Sequence, residues 1–304
     1  MNDRLKFAAF GGGLVVLFGA ALGIGALVGE PAAPAAEHGH ASSARPDEDT
    51  ASGLQSSRSG YTLTDISAPA EPNRPGVLRF RITGPDGRPV TAFEPLHDKQ
   101  LHLIAVRSDT TGYRHVHPEL GPDGTWSIAW NWAEPGTYRI FADFSPGTTA
   151  GDGPGELVLS RTVEVAGDAP PHPLPAVSRT ADVDGYRIAL DGDLSTAGSE
   201  LRFTVTRDGR PVTDLEPYLG AYAHLVALRT PDLEYLHVHP EGDIGTTPPG
   251  PRVAFHAQAP GAGTYRLYLD FAHGRAVHTA EFTVESSTAP AVSSGHEGHG
   301  GDHR

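Results

Sequence analysis

Gly136-Thr137-Tyr138-Arg139-Ile140-Phe141-Ala142-Asp143-Phe144 returns later in the chain as Gly263-Thr264-Tyr265-Arg266-Leu267-Tyr268-Leu269-Asp270-Phe271. Tyr138, Ile140, Ala142 and Phe144 alternate with their neighbours, the two-residue period of a strand that lays one face on a core. Upstream, His115-Val116-His117-Pro118-Glu119 is matched by His237-Val238-His239-Pro240-Glu241, and His102-Leu103 by His224-Leu225. Further back, Leu78-Arg79-Phe80 and Gly87-Arg88-Pro89-Val90-Thr91 are met by Leu201-Arg202-Phe203 and Gly209-Arg210-Pro211-Val212-Thr213. The chain is an internal duplication.

Each copy holds short apolar runs separated by turn signals such as Pro85-Asp86-Gly87, Pro122-Asp123-Gly124 and Pro135-Gly136. Trp126, Ile128, Trp130 and Trp132 again fall on one strand face. With 37 Gly and 27 Pro in 304 residues, and no runs of Ala, Leu, Glu and Lys to write long helices, the fold class is all-β. The expected architecture is two tandem β-sandwich repeats, over residues 61–168 and 178–285. Pro170, Pro171, Pro173 and Pro175 make a stiff connector over residues 169–177. The Gly-Thr-Tyr that opens the late strand of each copy resembles the tyrosine corner of immunoglobulin-like sandwiches, which implies a hydroxyl bonded back to the upstream backbone.

The formal net charge of −14 argues against a nucleic-acid partner, because such binders draw their affinity from clustered Lys and Arg. No cysteine is present, so disulfides, thiolate metal sites and a cysteine nucleophile are unavailable. From Phe7 to Gly29 there is no charge, and about 23 helical residues at ~1.5 Å each cross a hydrocarbon core of about 30 Å. Arg4 and Lys6 precede that stretch. The expectation is one N-terminal transmembrane helix within residues 1–29 that leaves the rest of the chain extracytoplasmic, or secreted if the segment is a cleaved signal peptide. Residues 30–60 have the composition of a disordered linker, and residues 286–304 that of a disordered tail.

Histidine is where the chemistry concentrates. In an extended segment residues i and i+2 point to one side, so His115 and His117, or His237 and His239, can reach one ion at about 2.0–2.1 Å. His102 and His224 lie thirteen residues ahead of these pairs and supply a third imidazole. His224 shares a face with Val226 and Leu228, which directs it toward the sandwich core. Asp143 and Asp270 are further candidates, Asp270 standing opposite Leu269 and Phe271 and so on the outer face. His278 follows in Ala276-Val277-His278-Thr279-Ala280, where the first repeat has Ser160 or a near neighbour. The second repeat is therefore expected to hold the more complete site, from His224, His237, His239, His278 and Asp270. His-Gly-Asp tracts at Glu37-His38-Gly39-His40 and Gly295–His303 point to metal capture as well.

With Met1 the only methionine and no cysteine, ligands suited to Cu(I) are missing, whereas imidazole suits Cu(II), Zn(II) and Ni(II). Cu(II) leads because it tops the divalent affinity order.

Leu219-Gly220-Ala221-Tyr222-Ala223-His224-Leu225-Val226-Ala227-Leu228, Leu236-His237-Val238-His239-Pro240, Gly263–Leu267, Asp270-Phe271 and Val277-His278-Thr279-Ala280 resemble bacterial secreted or membrane-anchored proteins associated with heavy-metal, chiefly copper, handling. That resemblance implies metal binding outside the membrane, with no established reaction and a metal transporter as a candidate partner. An enzymatic alternative is a similarity of His237-Val238-His239-Pro240-Glu241-Gly242-Asp243 to the copper-ligand strand of copper/zinc superoxide dismutases. That family's cysteines, zinc loop and later Gly-rich Arg segment have no counterpart here. A third reading is an adhesion or scaffold protein in which the histidines are incidental. The expected function is non-enzymatic binding of a metal ion, for sequestration or delivery.

Overall fold

Two tyrosine corners fix how each sandwich turns from one sheet to the other. The Tyr138 hydroxyl donates to the Glu134 carbonyl at 3.1 Å, and the Tyr265 hydroxyl to the Gly261 carbonyl at 2.9 Å, as the Gly-Thr-Tyr resemblance implied. The computed structural model describes residues 53–147, 153–236 and 238–288, with His239 described by its backbone alone. The expected membrane helix at residues 7–29 and the histidine tracts of both tails lie outside the described residues. Among those described, no helix is long and apolar enough to cross a membrane.

The first half contributes β1 (Ser57–Arg58), β2 (Tyr61–Ser67), β3 (Gly76–Thr83), β4 (Phe93–Glu94), β5 (His102–Arg107), β6 (Arg114–Val116), β7 (Glu119–Leu120), β8 (Thr125–Trp130), β9 (Gly136–Pro146) and β10 (Leu157–Val165). They form one sheet ordered β1-β2-β3-β8-β7 and another ordered β10-β9-β5-β6, with β4 pairing on β9. The second half repeats the plan with β11 (Thr180–Val183), β12 (Tyr186–Asp191), β13 (Ser199–Arg207), β14 (Arg210–Pro211), β15 (Ala223–Arg229), β16 (Tyr235–Leu236), β17 (Val238–Pro240), β18 (Arg252–Ala257), β19 (Gly263–His273) and β20 (Ala276–Ser286). Its sheets run β11-β12-β13-β18-β17 and β16-β15-β19-β20. In each half the order is that of an immunoglobulin-like sandwich, with the outermost early strands on one sheet and the last two strands on the other.

The fold begins earlier than composition suggests. Ser57 and Arg58 pair with Thr62 and Tyr61, and the Gly53 carbonyl accepts the Ser160 hydroxyl at 2.5 Å, so residues 53–60 belong to the first sandwich rather than to a linker. The connector also docks on the first repeat: the Pro170 carbonyl accepts from Arg107 Nη2 at 2.9 Å, and His172 N–H donates to Asp109 at 2.8 Å.

Each sandwich has its own core. Phe80, Trp126, Tyr138, Ile140 and Phe144 pack in the first, and Phe203, Phe255, Tyr265, Phe271 and Phe282 in the second. A third core lies between the repeats. Ile104, Val106, Phe141 and Val158, from the outer face of the β10-β9-β5-β6 sheet, pack on Val226, Leu228, Leu233, Tyr235 and Tyr268 of the second repeat. All six residues of β5 are buried, as are the first six of β15, because each strand is covered on both faces. His224 therefore points with Val226 and Leu228 into the core between the repeats and not into its own sandwich core. Alternation gave its face correctly; what covers that face is a matter of how the two repeats dock.

The interface contacts are reciprocal, as in a two-fold dimer. Tyr113 donates to Asp270 Oδ2 at 3.2 Å and its counterpart Tyr235 donates to Asp143 Oδ2 at 3.1 Å. The described residues belong to one compact unit. Phe141→Ala should cost about 3–5 kcal/mol in chemical denaturation, the figure for emptying a buried aromatic site. A near-neutral effect, as for an outward residue of a free-standing sandwich, would show that the repeats do not dock.

Candidate metal centre

Antiparallel pairing brings the histidines together. β5 lies beside β6 with Ile104 opposite His115, and beside β9 with His102 opposite Asp143. His102 Nδ1 stands 2.9 Å from His115 Nε2 and 3.2 Å from His117 Nε2. One nitrogen from each of the three rings lies within 4.8 Å of the others. Nitrogens bound to one ion at 2.0–2.1 Å in a tetrahedral arrangement would be about 3.3 Å apart, so small ring movements suffice to seat it.

The hydrogen bonds behind the rings fix which nitrogen carries a proton. His102 Nε2 faces the Leu96 carbonyl at 2.9 Å and must donate to it, which leaves the neutral ring's lone pair on Nδ1. His115 Nδ1 faces Asp270 Oδ2 at 2.9 Å and donates to that carboxylate, leaving its lone pair on Nε2. Two lone pairs thus meet at 2.9 Å, an arrangement that is favourable only with a cation or a proton between them. A carboxylate behind a histidine is also the usual support of a metal ligand, since it sets the tautomer and raises ring basicity. Asp270 is held in turn by the Tyr113 hydroxyl and by Thr279 Oγ1 at 2.6 Å, and is 2% exposed.

Burial keeps His102, His117 and His224 neutral. Desolvation, followed by the neighbouring His115, lowers the pKa of His102 to about 3 and that of His117 to about 3. The same two causes lower His224 to about 4. Metal ligation requires neutral imidazole, so no proton has to leave these three rings first at ordinary pH.

Several expected residues are placed otherwise. Asp270 supports His115 from across the interface rather than lying on an open outer face. Asp143, its counterpart, accepts from Tyr235, and burial followed by Glu156 raises its pKa well above the carboxylate range. His224 stands beside the triad, its ring centre 6.4 Å from that of His102 and 6.3 Å from that of His115. His278 is elsewhere: Nδ1 meets Asp184 at 2.8 Å and Nε2 the His273 carbonyl at 3.2 Å, and the ring packs on Phe271 and Tyr186. The reason is register. His278 is opposite Phe271 while Asp270 is opposite Thr279, so His278 follows Phe271 to the inner face. Its counterpart in the first repeat is Leu157, opposite Phe144, and not Ser160. His237 and the side chain of His239 lie outside the described residues. The triad among the described residues is thus that of the first repeat, with the second supplying Asp270, and His278 has no part in it.

His97, in the loop between β4 and β5, was not singled out by the sequence because Leu219 occupies its place in the second repeat. Its ring centre is 5.3 Å from that of His224 and 6.1 Å from that of His102. Tyr113 and Tyr235 were legible in principle, as both sit at matching positions of the duplication. A cavity of ≈ 30 Å³, lined in part by His97, His102, His115, Asp143 and His224, has room for an ion or a water.

No curated protein matches the sequence. Among solved structures the chain is similar to invasin, a bacterial integrin-binding protein, at 10% identity and a TM-score of 0.22, over 75% of this chain and 39% of that one. It is similar to domains 4 and 5 of the S-layer protein SbsC at 12% identity and a TM-score of 0.22, over 77% of this chain and 100% of that one. Fibronectin(III)-like modules of Clostridium thermocellum CbhA give 12% identity and a TM-score of 0.18, over 79% and 100%. Likenesses this slight carry no argument about partners or activity. The chain belongs to the family described as Domain of unknown function (DUF8832), whose model matches residues 56–151 and again residues 181–288.

Proposed function

We propose that this chain is an extracytoplasmic metal-binding protein that takes up a divalent ion, Cu(II) first, through His102, His115 and His117, for sequestration or delivery. The observation that carries the reading is the convergence of imidazole nitrogens: the Leu96 carbonyl and Asp270 each hold one nitrogen of His102 and His115, so that the other nitrogens face each other at 2.9 Å across a place that a proton or a metal ion can fill. An all-imidazole set suits Cu(II), Zn(II) and Ni(II), and Cu(II) heads the affinity order. The uncharged stretch from Phe7 to Gly29 supports an address outside the membrane, and a membrane metal transporter is the partner such a role would serve. Binding rather than catalysis is the reading that a cavity of ion size beside His102 and His115 supports.

The test is calorimetric titration of the full chain with Cu(II), Zn(II) and Ni(II), beside the variant His102→Ala/His115→Ala/His117→Ala. One tight site should vanish in the variant while weak binding by the tails persists in both. Cu(II) at about 100 times Kd should stabilise the wild type by about 2.7 kcal/mol. Equal affinity and equal melting behaviour in the two proteins would overturn the reading.

Asp270→Asn keeps the shape of the side chain but removes the charge behind His115. The expected loss is about 10–100-fold in metal affinity, the usual effect of a lost outer partner, with the number of tight sites unchanged.

The metal-free chain should also respond to acid. His102 and His117 titrate at about 3 and His224 at about 4 when folded, against about 6.5 in an unfolded chain. Between those values the unfolded chain holds protons that the folded chain lacks, so stability is complete above about pH 6.5 and is lost as pH falls toward the folded values. Asp143, with its raised pKa, works in the opposite direction but sets one proton against three. Melting temperature should drop between about pH 7 and pH 4.5, and drop less in His102→Ala/His117→Ala. Identical pH profiles would contradict burial of neutral imidazoles.

A further inference from the structure

Among the described residues five imidazoles crowd this end of the interface, but they do not surround one point. The ring centres of His102, His115 and His117 are 4.9 to 5.2 Å apart. Rings sharing one tetrahedral ion would be spaced at about 5.2 Å, given metal-to-nitrogen distances of 2.0–2.1 Å. His224 stands outside that triangle at 6.3 and 6.4 Å from two of its members, yet only 5.3 Å from His97. His97 and His224 therefore have the spacing of two ligands on an ion of their own.

Their surroundings differ in a directed way. His224 is 7% exposed, and its Nε2 donates to the Tyr218 carbonyl at 3.0 Å, which leaves the neutral ring's lone pair on Nδ1. That bond copies the one from His102 to Leu96, residues 96 and 218 being equivalent in the duplication. His97 is exposed, on a loop whose backbone is left-handed at His97 and Asp98, and it lines the same small cavity as His102, His115 and His224. The pair thus spans the distance from solvent to His102, the buried member of the triad.

We propose that His97 and His224 form a second metal station, an entry site that captures a divalent ion such as Cu(II) from solvent and passes it to the triad. The proposal rests on the triad reading above. The two described imidazoles of this station hold an ion less tightly than the three of the triad, so affinity rises inward. With His224 about 6 Å from His102 and His115, one metal-to-nitrogen bond forms as another breaks, and the waters displaced from the ion return to solvent. No electron is transferred. Without His97 an ion entering on this side has to shed its waters before His224 or His102 can reach it, which raises the barrier in both directions and leaves the end state unchanged.

The experiment uses the full chain and follows Cu(II) uptake by stopped-flow quenching of intrinsic fluorescence, and release by adding excess EDTA to loaded protein. The phase that disappears in His102→Ala/His115→Ala/His117→Ala reports the triad. His97→Asn is the informative variant, because Asn tolerates left-handed backbone and ligates poorly. Uptake and release of the triad phase should both slow at least tenfold while its Kd stays within threefold, and His256→Asn, at another exposed histidine, should change neither. Unchanged rates in His97→Asn would overturn the entry station. So would a Kd weakened tenfold through faster release, which would make His97 a ligand of the triad's own ion. If wild type and the triad variant take up Cu(II) alike, the triad reading itself fails, an outcome distinct from both.

Discussion

The hydrogen bond between His115 Nδ1 and Asp270 Oδ2, 2.9 Å long and buried at both ends, is the contact on which the centre depends. It crosses from one repeat to the other, so it exists only because the outer sheet faces dock. It also decides which nitrogen of His115 faces the cavity. A carboxylate free in solvent could not hold an imidazole in one orientation with this effect, because water would compete for both groups. Here Tyr113 and Thr279 also donate to Asp270, and the apolar contacts of Phe141, Val226 and Tyr268 surround them.

Much of the fold was legible in the sequence because the signals were local. The duplication, the alternation of Trp126 to Trp132 and of Tyr138 to Phe144, and the Gly-Thr-Tyr corners each need only a short window. The centre was half legible. His102, His115 and His117 were visible as a group, since strand geometry places i and i+2 on one side and the duplication flagged all three. What the sequence could not convey was the third core. Leu103-Ile104-Ala105-Val106 is apolar at every position, a pattern of burial on both faces, but nothing local says that the covering surface is the other half of the same chain. Without that, His224 points into the wrong core, Asp270 looks solvated, and His278 seems available. The position of His278 turned on register, because one step along β20 exchanges the inner face for the outer one.

Burying several neutral imidazoles and a carboxylate at one interface is costly unless each has a partner. The carbonyls of Leu96 and Tyr218 serve His102 and His224 in the same way in the two halves. The carboxylates are treated unequally. Asp270 has Thr279 on its second oxygen, whereas the equivalent of Thr279 in the first half is Val158, and Asp143 has a second carboxyl, that of Glu156, beside it. Asp270, with donors on both oxygens, supports His115. Asp143, pushed toward its protonated form, faces Tyr235 and Glu156.

The reciprocal tyrosine-to-aspartate bonds describe the contact surface of a symmetric pair of identical subunits, written into a single polypeptide. A true homodimer must accept every substitution twice, once on each side of its axis, and any change that helps one site harms or duplicates itself in the other. Joining the two copies end to end lifts that restriction. Valine can stand where its twin is threonine, leucine where its twin is histidine, and the two halves can drift into a holder and a support without either having to do both tasks.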